Sequence, residues 1–405
     1  MKAIVRQATM ADKDEIWNLL KKAYGQRSKF KFPKRWNWEF VENPYWEGKE
    51  LPIYIAVQDG KIVGQTCAMY VPLSMGRDTY QAAWSVDTIV LPECRRQGIG
   101  GQLQRLSASM HRIFMSLSMS PANRRIKTKF GSKPIVTVYS LRRWIKVNRV
   151  SFCNAVTRRI AKSKSLSESW ELGCRFLCLD GILMSIINAG IAIRNSLAKQ
   201  PDPNSDITIR EVAIFHDEID KFWEKTRHQY GVMVERDRKY LNWKYVEQPH
   251  MKHRKFIATR DNEICGYMVL RKSELPESNV GIISDLYSSI EDKKTLEKLI
   301  GFAVDFFTNN VEAIRCATSI DEFKEVLTRF CFSNEQEDVL VAYSNENGLM
   351  KKLEGHQGPW FMSKGDHDWD QYPLARLKYK FSIFHLSAFP IFRRFVDLLF
   401  KDKNK

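Results

Sequence analysis

Residues 86–106 constrain this chain more than any other stretch: Val-Asp-Thr-Ile-Val-Leu-Pro-Glu-Cys-Arg-Arg-Gln-Gly-Ile-Gly-Gly-Gln-Leu-Gln-Arg-Leu. A β-branched run over 86–91 stops at Pro92, and Gly98, Gly100 and Gly101 follow. Apolar residues then recur at Leu103, Leu106, Met110 and Ile113, the spacing of one helix face. The expected order is strand, glycine-rich turn, helix. Such a turn suits a pyrophosphate, because glycine lets backbone N–H groups approach phosphate oxygens. A helix start also aims unpaired N–H groups and its positive dipole end at the same anion. Arg95 and Arg96 add charge at the rim. The dinucleotide fingerprint needs G-x-G-x-x-G, whereas this chain offers G-x-G-G. A tight strand–helix connection with no ligand is the plain alternative.

The string Arg95-x-x-Gly98-x-Gly100, preceded by a strand with an acidic residue and by Pro92-Glu93, resembles motif A of the GNAT acyltransferases. The resemblance implies that the turn holds the pyrophosphate of acetyl-CoA, through Arg95, Arg96, Gln97, Gly98, Ile99, Gly100 and Gly101. It implies that the preceding strand pairs with the pantetheine arm through Ile89, Val90 and Leu91, with the N–H of Ile89 or Leu91 meeting the thioester carbonyl. Related enzymes attack directly from a ternary complex, so a nucleophilic cysteine is not required and Cys94 reads as incidental. Asp87, on the motif strand, is the candidate base, acting through one water. The family often protonates the thiolate with a tyrosine beyond the fifth strand. The matching stretch 123–130 has none, so Tyr139 is a weak substitute, with water or Cys94 as alternatives. Trp36, Trp38 and Asn43 fall where the family shapes its acceptor side; they suit a sugar, and core packing is the competing reading.

The chain in order reads as strand 4–9, helix 11–24, an aromatic helical stretch 34–44, a hairpin turning at Gln58-Asp59-Gly60, the motif strand and helix, strand 114–119, helix 123–130 and strand 134–140. This is the acetyltransferase order. A second copy begins about 200 residues on, which an internal comparison exposes. Asn37-Trp-Glu-Phe-Val-Glu-Asn-Pro44 answers Asn242-Trp-Lys-Tyr-Val-Glu-Gln-Pro249, and Asp87 answers Asp285. Where the first copy has its glycine turn, the second reads Lys293-Lys-Thr-Leu-Glu-Lys-Leu299, without glycine. The second copy is therefore expected to be a degenerate acetyltransferase fold that shapes the acceptor site and packs on the first. Because Asp285 persists there, a structural role for Asp87 weighs evenly with catalysis.

The expected architecture is α/β (α+β): two tandem GNAT-like domains, each a mixed, mostly antiparallel sheet flanked by helices. Residues 1–150 form the acetyl-CoA-binding catalytic domain, 151–205 a helical connector and linker, 206–350 the degenerate domain and 351–405 a basic aromatic tail. The net charge is +17, and residues 1–150 hold 26 Lys and Arg against 11 Asp and Glu. That surplus suits CoA together with an acidic acceptor or an anionic membrane surface; nucleic acid ranks last, since no nucleic-acid motif accompanies it. The eight scattered cysteines read as reduced thiols of a cytoplasmic protein, and no metal is expected. The apolar window 175–194 is broken by Asp180, Gly181 and Gly190 and reads as a buried helix, with a membrane-surface helix left open. Tail residues 374–405 read equally as a membrane-interface segment or a strap across both domains, with a homodimer contact as a third reading. The function expected is acetyl transfer to a primary amine, an amino sugar or envelope-polysaccharide precursor. A non-catalytic CoA-binding scaffold and a peptide or protein N-acetyltransferase are the alternatives.

Overall fold

The computed structural model describes residues 2–148, 179–273, 279–356 and 358–370; the readings of the tail and of most of the connector fall outside them. The first half runs β1 (Ile4–Gln7), α1 (Lys13–Tyr24), α2 (Lys34–Trp36, continuing as a wider π turn over Asn37–Val41), β2 (Ile53–Gln58), β3 (Lys61–Met75), β4 (Asp78–Val90), α3 (Ile99–Ser109), β5 (Phe114–Ser116), α4 (Pro121–Lys129) and β6 (Lys133–Trp144). After α5 (Leu179–Ser196), the second half runs β7 (Thr208–Val212), α6 (Asp217–Thr226), β8 (Val232–Val234), α7 (Arg238–Tyr245), β9 (Arg254–Arg260), β10 (Glu263–Lys272), β11 (Val280–Ser288), α8 (Lys293–Thr308), β12 (Ala313–Thr318), α9 (Asp321–Arg329) and β13 (Ser333–Tyr343). α10 (Asn347–Gly355) and β14 (Trp360–Phe361) close the described chain. Both hairpins turn in the same way: Asp59-Gly60 and Asp261-Asn262 each place two consecutive residues at positive φ, which matches the twist of the flanking strands.

The strands form one mixed sheet in the order β1-β2-β3-β4-β5-β13-β6-β12-β11-β10-β9-β7. That order reads the same from either edge once each strand is exchanged for its counterpart in the other half. At the centre the halves trade strands. β13 lies between β5 and β6, and β6 lies between β13 and β12, all antiparallel. Each half therefore completes its sheet with the other's last strand. Trp38 and its counterpart Trp243 stack on one another beside this pseudo-twofold, with ring centroids 4.7 Å apart and planes inclined by 17°.

The described part of the window expected to be a buried helix, from Leu179 on, is buried on one side only. Ile187 and Ile191 of α5 pack inward, and Asn188 and Asn195 bond the backbone of Val147 and Trp144. Ile182, Ile186 and Ile193 face outward and are exposed. Among the described residues no helix is long and apolar enough to cross a membrane.

Candidate active site

The site begins where β4 and β5 part. The two strands pair in parallel only at Ala83↔Phe114 and Trp84↔Met115, so a fork opens from Ser85 onward. Along the fork Ser85 and 87–90 stay partly exposed. On its other side β4 is held by β3, where the Leu91 N–H donates to the Val63 carbonyl at 2.9 Å. Antiparallel ladders alternate in direction, so Ile89 also turns its N–H toward β3 and Val90 turns its own toward the gap. The expected thioester partners, Ile89 and Leu91, are thus spent on the sheet; the available amide is that of Val90. Its carbonyl is capped by Arg95 Nε at 3.0 Å, which ties the motif arginine to the strand.

Beyond Pro92 the chain turns sharply. Gly98 sits at φ +80° as the residue that starts α3, a conformation glycine adopts without strain. Gly101 and Gln102 donate to the Gly98 carbonyl, which leaves the amides of Ile99 and Gly100 pointing out of the helix start. A Cβ on Gly101 would meet nothing within 4 Å. The protein's own packing does not demand glycine there. Arg96 and Gln97 complete the turn, Arg96 at φ 65°.

Asp87, weighed evenly between catalysis and structure, lies inside the fold. It sits at φ 49° in a bulge of β4, where the pairing with β3 shifts register, and its carboxylate is buried against Lys31. Burial opposes its charge, but Lys31 and Arg35 hold the carboxyl below its ordinary range. The second half repeats the arrangement. Arg236, the counterpart of Lys31, stands 3.6 Å from the buried Asp285, which also accepts from the Tyr267 hydroxyl at 2.9 Å. A buried cation–aspartate pair is thus present in both halves, one with the glycine turn and one without.

On the α3 and α4 side of the fork lies a polar chain that the sequence did not announce. Gln104 donates to Thr66 and Thr88 at 2.8 and 2.6 Å, and Lys127 Nζ donates to Gln104 Oε1 and, at 3.1 Å, to Ser85 Oγ. Burial without a carboxylate partner pulls the Lys127 ammonium well below its ordinary range. Ser85 is the first residue past the fork, so this lysine communicates with it directly. The position 200 residues on is Leu327, buried and apolar.

The expected acceptor residues are interior. Trp36 packs between Phe32 and Phe40. Trp38 stacks on Trp243 and donates to its carbonyl at 3.1 Å. Asn43 donates to the carbonyls of Glu39 and Tyr70 and accepts from the Tyr45 N–H. All three are buried, so none reaches an acceptor in this conformation. Tyr139 lies in β6, opposite Thr318 and Glu337 of the second half, with Lys324 Nζ 3.4 Å from its ring centroid. The strand exchange has drawn it into the junction. Cys94 is partly buried beside the turn.

The second half has the same fork, since β11 pairs with β12 only at Val280, Gly281 and Ile282, but the chain fills it with itself. Gly365 N–H donates to the Ser284 carbonyl at 2.7 Å, Ser363 bridges Thr318, and Ser319 and Met362 bond one another. β11 is buried throughout, in contrast to β4. Gly365 is required for this fit: a Cβ would lie 2.0 Å from the Tyr245 hydroxyl oxygen and 3.0 Å from the Ser284 carbonyl oxygen. From there the segment crosses to the first half. Asp366 is clasped by Arg236 at 2.6 Å, the His367 ring meets Trp84 edge-on at 5.1 Å, and Asp368 pairs with Arg35 at 3.2 Å. His367 Nδ1 lies 2.5 Å from Asp368 Oδ1. Burial opposes the Asp368 charge, yet His367 and Arg35 hold this carboxyl far below its ordinary range. A histidine beside an aspartate near the end of the sequence carries no signal on its own; only folding brings it to the fork.

A forked mixed sheet flanked by helices, with a glycine turn at the open fork, defines a CoA-dependent acyltransferase fold. The family model described as an acetyltransferase (GNAT) domain matches residues 4–131, and the chain is similar to GNAT proteins over that domain. Among solved structures it is similar to a probable N-acyltransferase from Enterococcus faecalis V583 (12% identity, 85% of this chain and 73% of that one, TM-score 0.54). It is also similar to a GCN5-related N-acetyltransferase from Anabaena variabilis (12% identity, 85% and 73% covered, TM-score 0.52). A third likeness is to Saccharomyces cerevisiae N-myristoyltransferase solved with myristoyl-CoA (10% identity, 85% and 79% covered, TM-score 0.51). At such identities the likeness is one of fold. No curated protein sequence matches the chain.

Proposed function

We propose that the chain is an acyl-CoA-dependent N-acyltransferase working at the first fork, with acetyl-CoA as donor and a primary amine as acceptor. The observation that carries this reading is the contrast between the two forks. One is open, edged by the Val90 amide and ended by a glycine turn with space at Gly101; the other is filled by the chain's own residues 362–365. In this reading the helix start and Arg96 hold the pyrophosphate, and the Val90 N–H pairs with the pantetheine arm. Lys127, through Ser85, protonates the departing thiolate. A buried ammonium made more acidic by desolvation is suited to that transfer. The amino-sugar reading of the acceptor drew on Trp36, Trp38 and Asn43, so a sugar enters as one member of an acceptor panel with peptides and polyamines.

Calorimetric titration of acetyl-CoA into wild type and Gly101→Glu tests the reading. The variant is expected to fold, because the added side chain has open space, and to lose binding, because its carboxylate faces the phosphates. Undiminished binding by a folded Gly101→Glu would move the cofactor elsewhere, and no binding by wild type would leave a non-catalytic scaffold.

A further inference from the structure

We propose that the outward face of α5 is a self-association surface, through which two copies of the chain pair helix to helix, antiparallel, about a twofold axis. Nothing in this pairing depends on acyl transfer at the first fork.

The two faces of α5 are opposite in character. The inner face is spent on the fold: Ile187 and Ile191 are buried, and Asn188 and Asn195 bond the backbone of Val147 and Trp144. The outer face carries Ile182, Ile186 and Ile193, each more than half exposed, and ends at Leu197, which is 82% exposed. With Ala189 these recur at intervals of four, three, four and four residues, one continuous stripe of a helix. Large apolar side chains exposed singly are ordinary, whereas a row of them on one helix face is an interaction surface. Ser185 and Ser196 also face outward, but their hydroxyls donate to their own helix, to the carbonyls of Gly181 and Ile193 at 2.9 and 2.8 Å. Among the described side chains of 182–197, no exposed one is charged. Arg194, the one cation of the helix, turns inward and donates to the Cys331 carbonyl at 3.1 Å.

Charge chooses the occupant. A helix lying on an anionic membrane presents Lys and Arg around its apolar face to reach the headgroups. α5 keeps its arginine for the fold, and Lys199 just beyond it lies 3.9 Å from Glu297. A chain of net charge +17 repels its own copies, so two of them meet closely only at a face without charge. α5 supplies one.

The spacing then fixes the direction. Ile182 and Leu197, like Ile186 and Ile193, are symmetric about the midpoint between Ala189 and Gly190. An antiparallel second copy therefore sets its Ile193 beside Ile186 and its Leu197 beside Ile182, and each contact occurs twice, as a twofold interface requires. The small pair Ala189-Gly190 falls at the crossing, where the two backbones come closest. A parallel copy would instead bring the two Arg194–Lys199 ends together.

Sedimentation equilibrium of the full-length protein across a wide concentration range tests this. The wild type is expected to sediment as a dimer. Ile186→Lys is expected to raise the dimer dissociation constant about a hundredfold or more, because it buries an ammonium against an isoleucine twice over. The position is exposed, so far-UV circular dichroism and the urea midpoint should match those of wild type. Ile193→Glu alone should separate the copies in the same way. The two substitutions together should restore the dimer, since each introduced lysine then meets an introduced glutamate of the other copy. A wild-type dimer that Ile186→Lys leaves intact would overturn the proposal, as would a double variant that stays monomeric. So would a monomeric wild type, whether flotation with phosphatidylglycerol vesicles then finds the chain on a membrane or removal of residues 371–405 is what frees it to dimerise.

Discussion

Buried charge is where single residues decide most in this molecule. Lys31 and Asp87 are both nearly sealed from solvent, so removing one leaves an uncompensated charge inside. Lys31→Met is expected to destabilise by about 3–5 kcal/mol in urea unfolding, and the Lys31→Met, Asp87→Leu pair by much less. The sign of the pH dependence follows from the direction of the shift. Asp87 and Asp368 have carboxyls depressed in the fold, so their contribution is whole above the ordinary carboxylate value near 4 and is lost as pH falls through and below it. Tm measured from pH 7 downward should therefore drop more steeply in wild type than in Asp87→Asn. Lys127 belongs to the same scale. Lys127→Met should leave acetyl-CoA affinity intact while lowering turnover, since the lysine reaches the fork through Ser85 and through Gln104 on Thr88 and not by direct contact.

At the scale of elements, the glycine turn was legible because its requirement is local: β-branched run, proline, arginine, glycines and helical spacing all sit within a few residues. The roles of α2 and its π turn were not legible. An aromatic, asparagine-containing segment suits sugar recognition and core packing alike, and only the stack of Trp38 on Trp243 separates the two. Trp38→Ala should cost about 3–5 kcal/mol in unfolding, as a fully buried indole does, and any loss of activity should track loss of fold. β11 and β4 make the same point. They align through Asp87 and Asp285, yet one is buried beside residues 362–365 and the other lines an open fork.

For the whole molecule, the exchange of β6 and β13 makes the halves interdependent. Residues 1–148 expressed alone would leave both edges of β6 and the outer edge of β5 unpaired, an association hazard. That fragment is expected to aggregate or lose near-UV circular dichroism, and the intact chain to unfold with coincident fluorescence and far-UV transitions. A monomeric fragment with native spectra would show that the exchange is dispensable.

The amino-acid sequence by itself determined the order of the first-half elements, the duplicated order and the glycine turn, because hydrophobic periodicity, turn chemistry and glycine conformations act over a few residues at a time. It also determined that the second copy lacks the turn. Which strand completes which half, that Asp87 is buried against Lys31, that the second fork is filled from within, and that His367 packs on Trp84 were decided only by tertiary structure. Strand edges hydrogen-bond through backbone groups common to every residue, so a strand does not name its partner. A buried ion pair or an imidazole at a fork exists only once packing has removed the water and brought distant residues within a few ångströms.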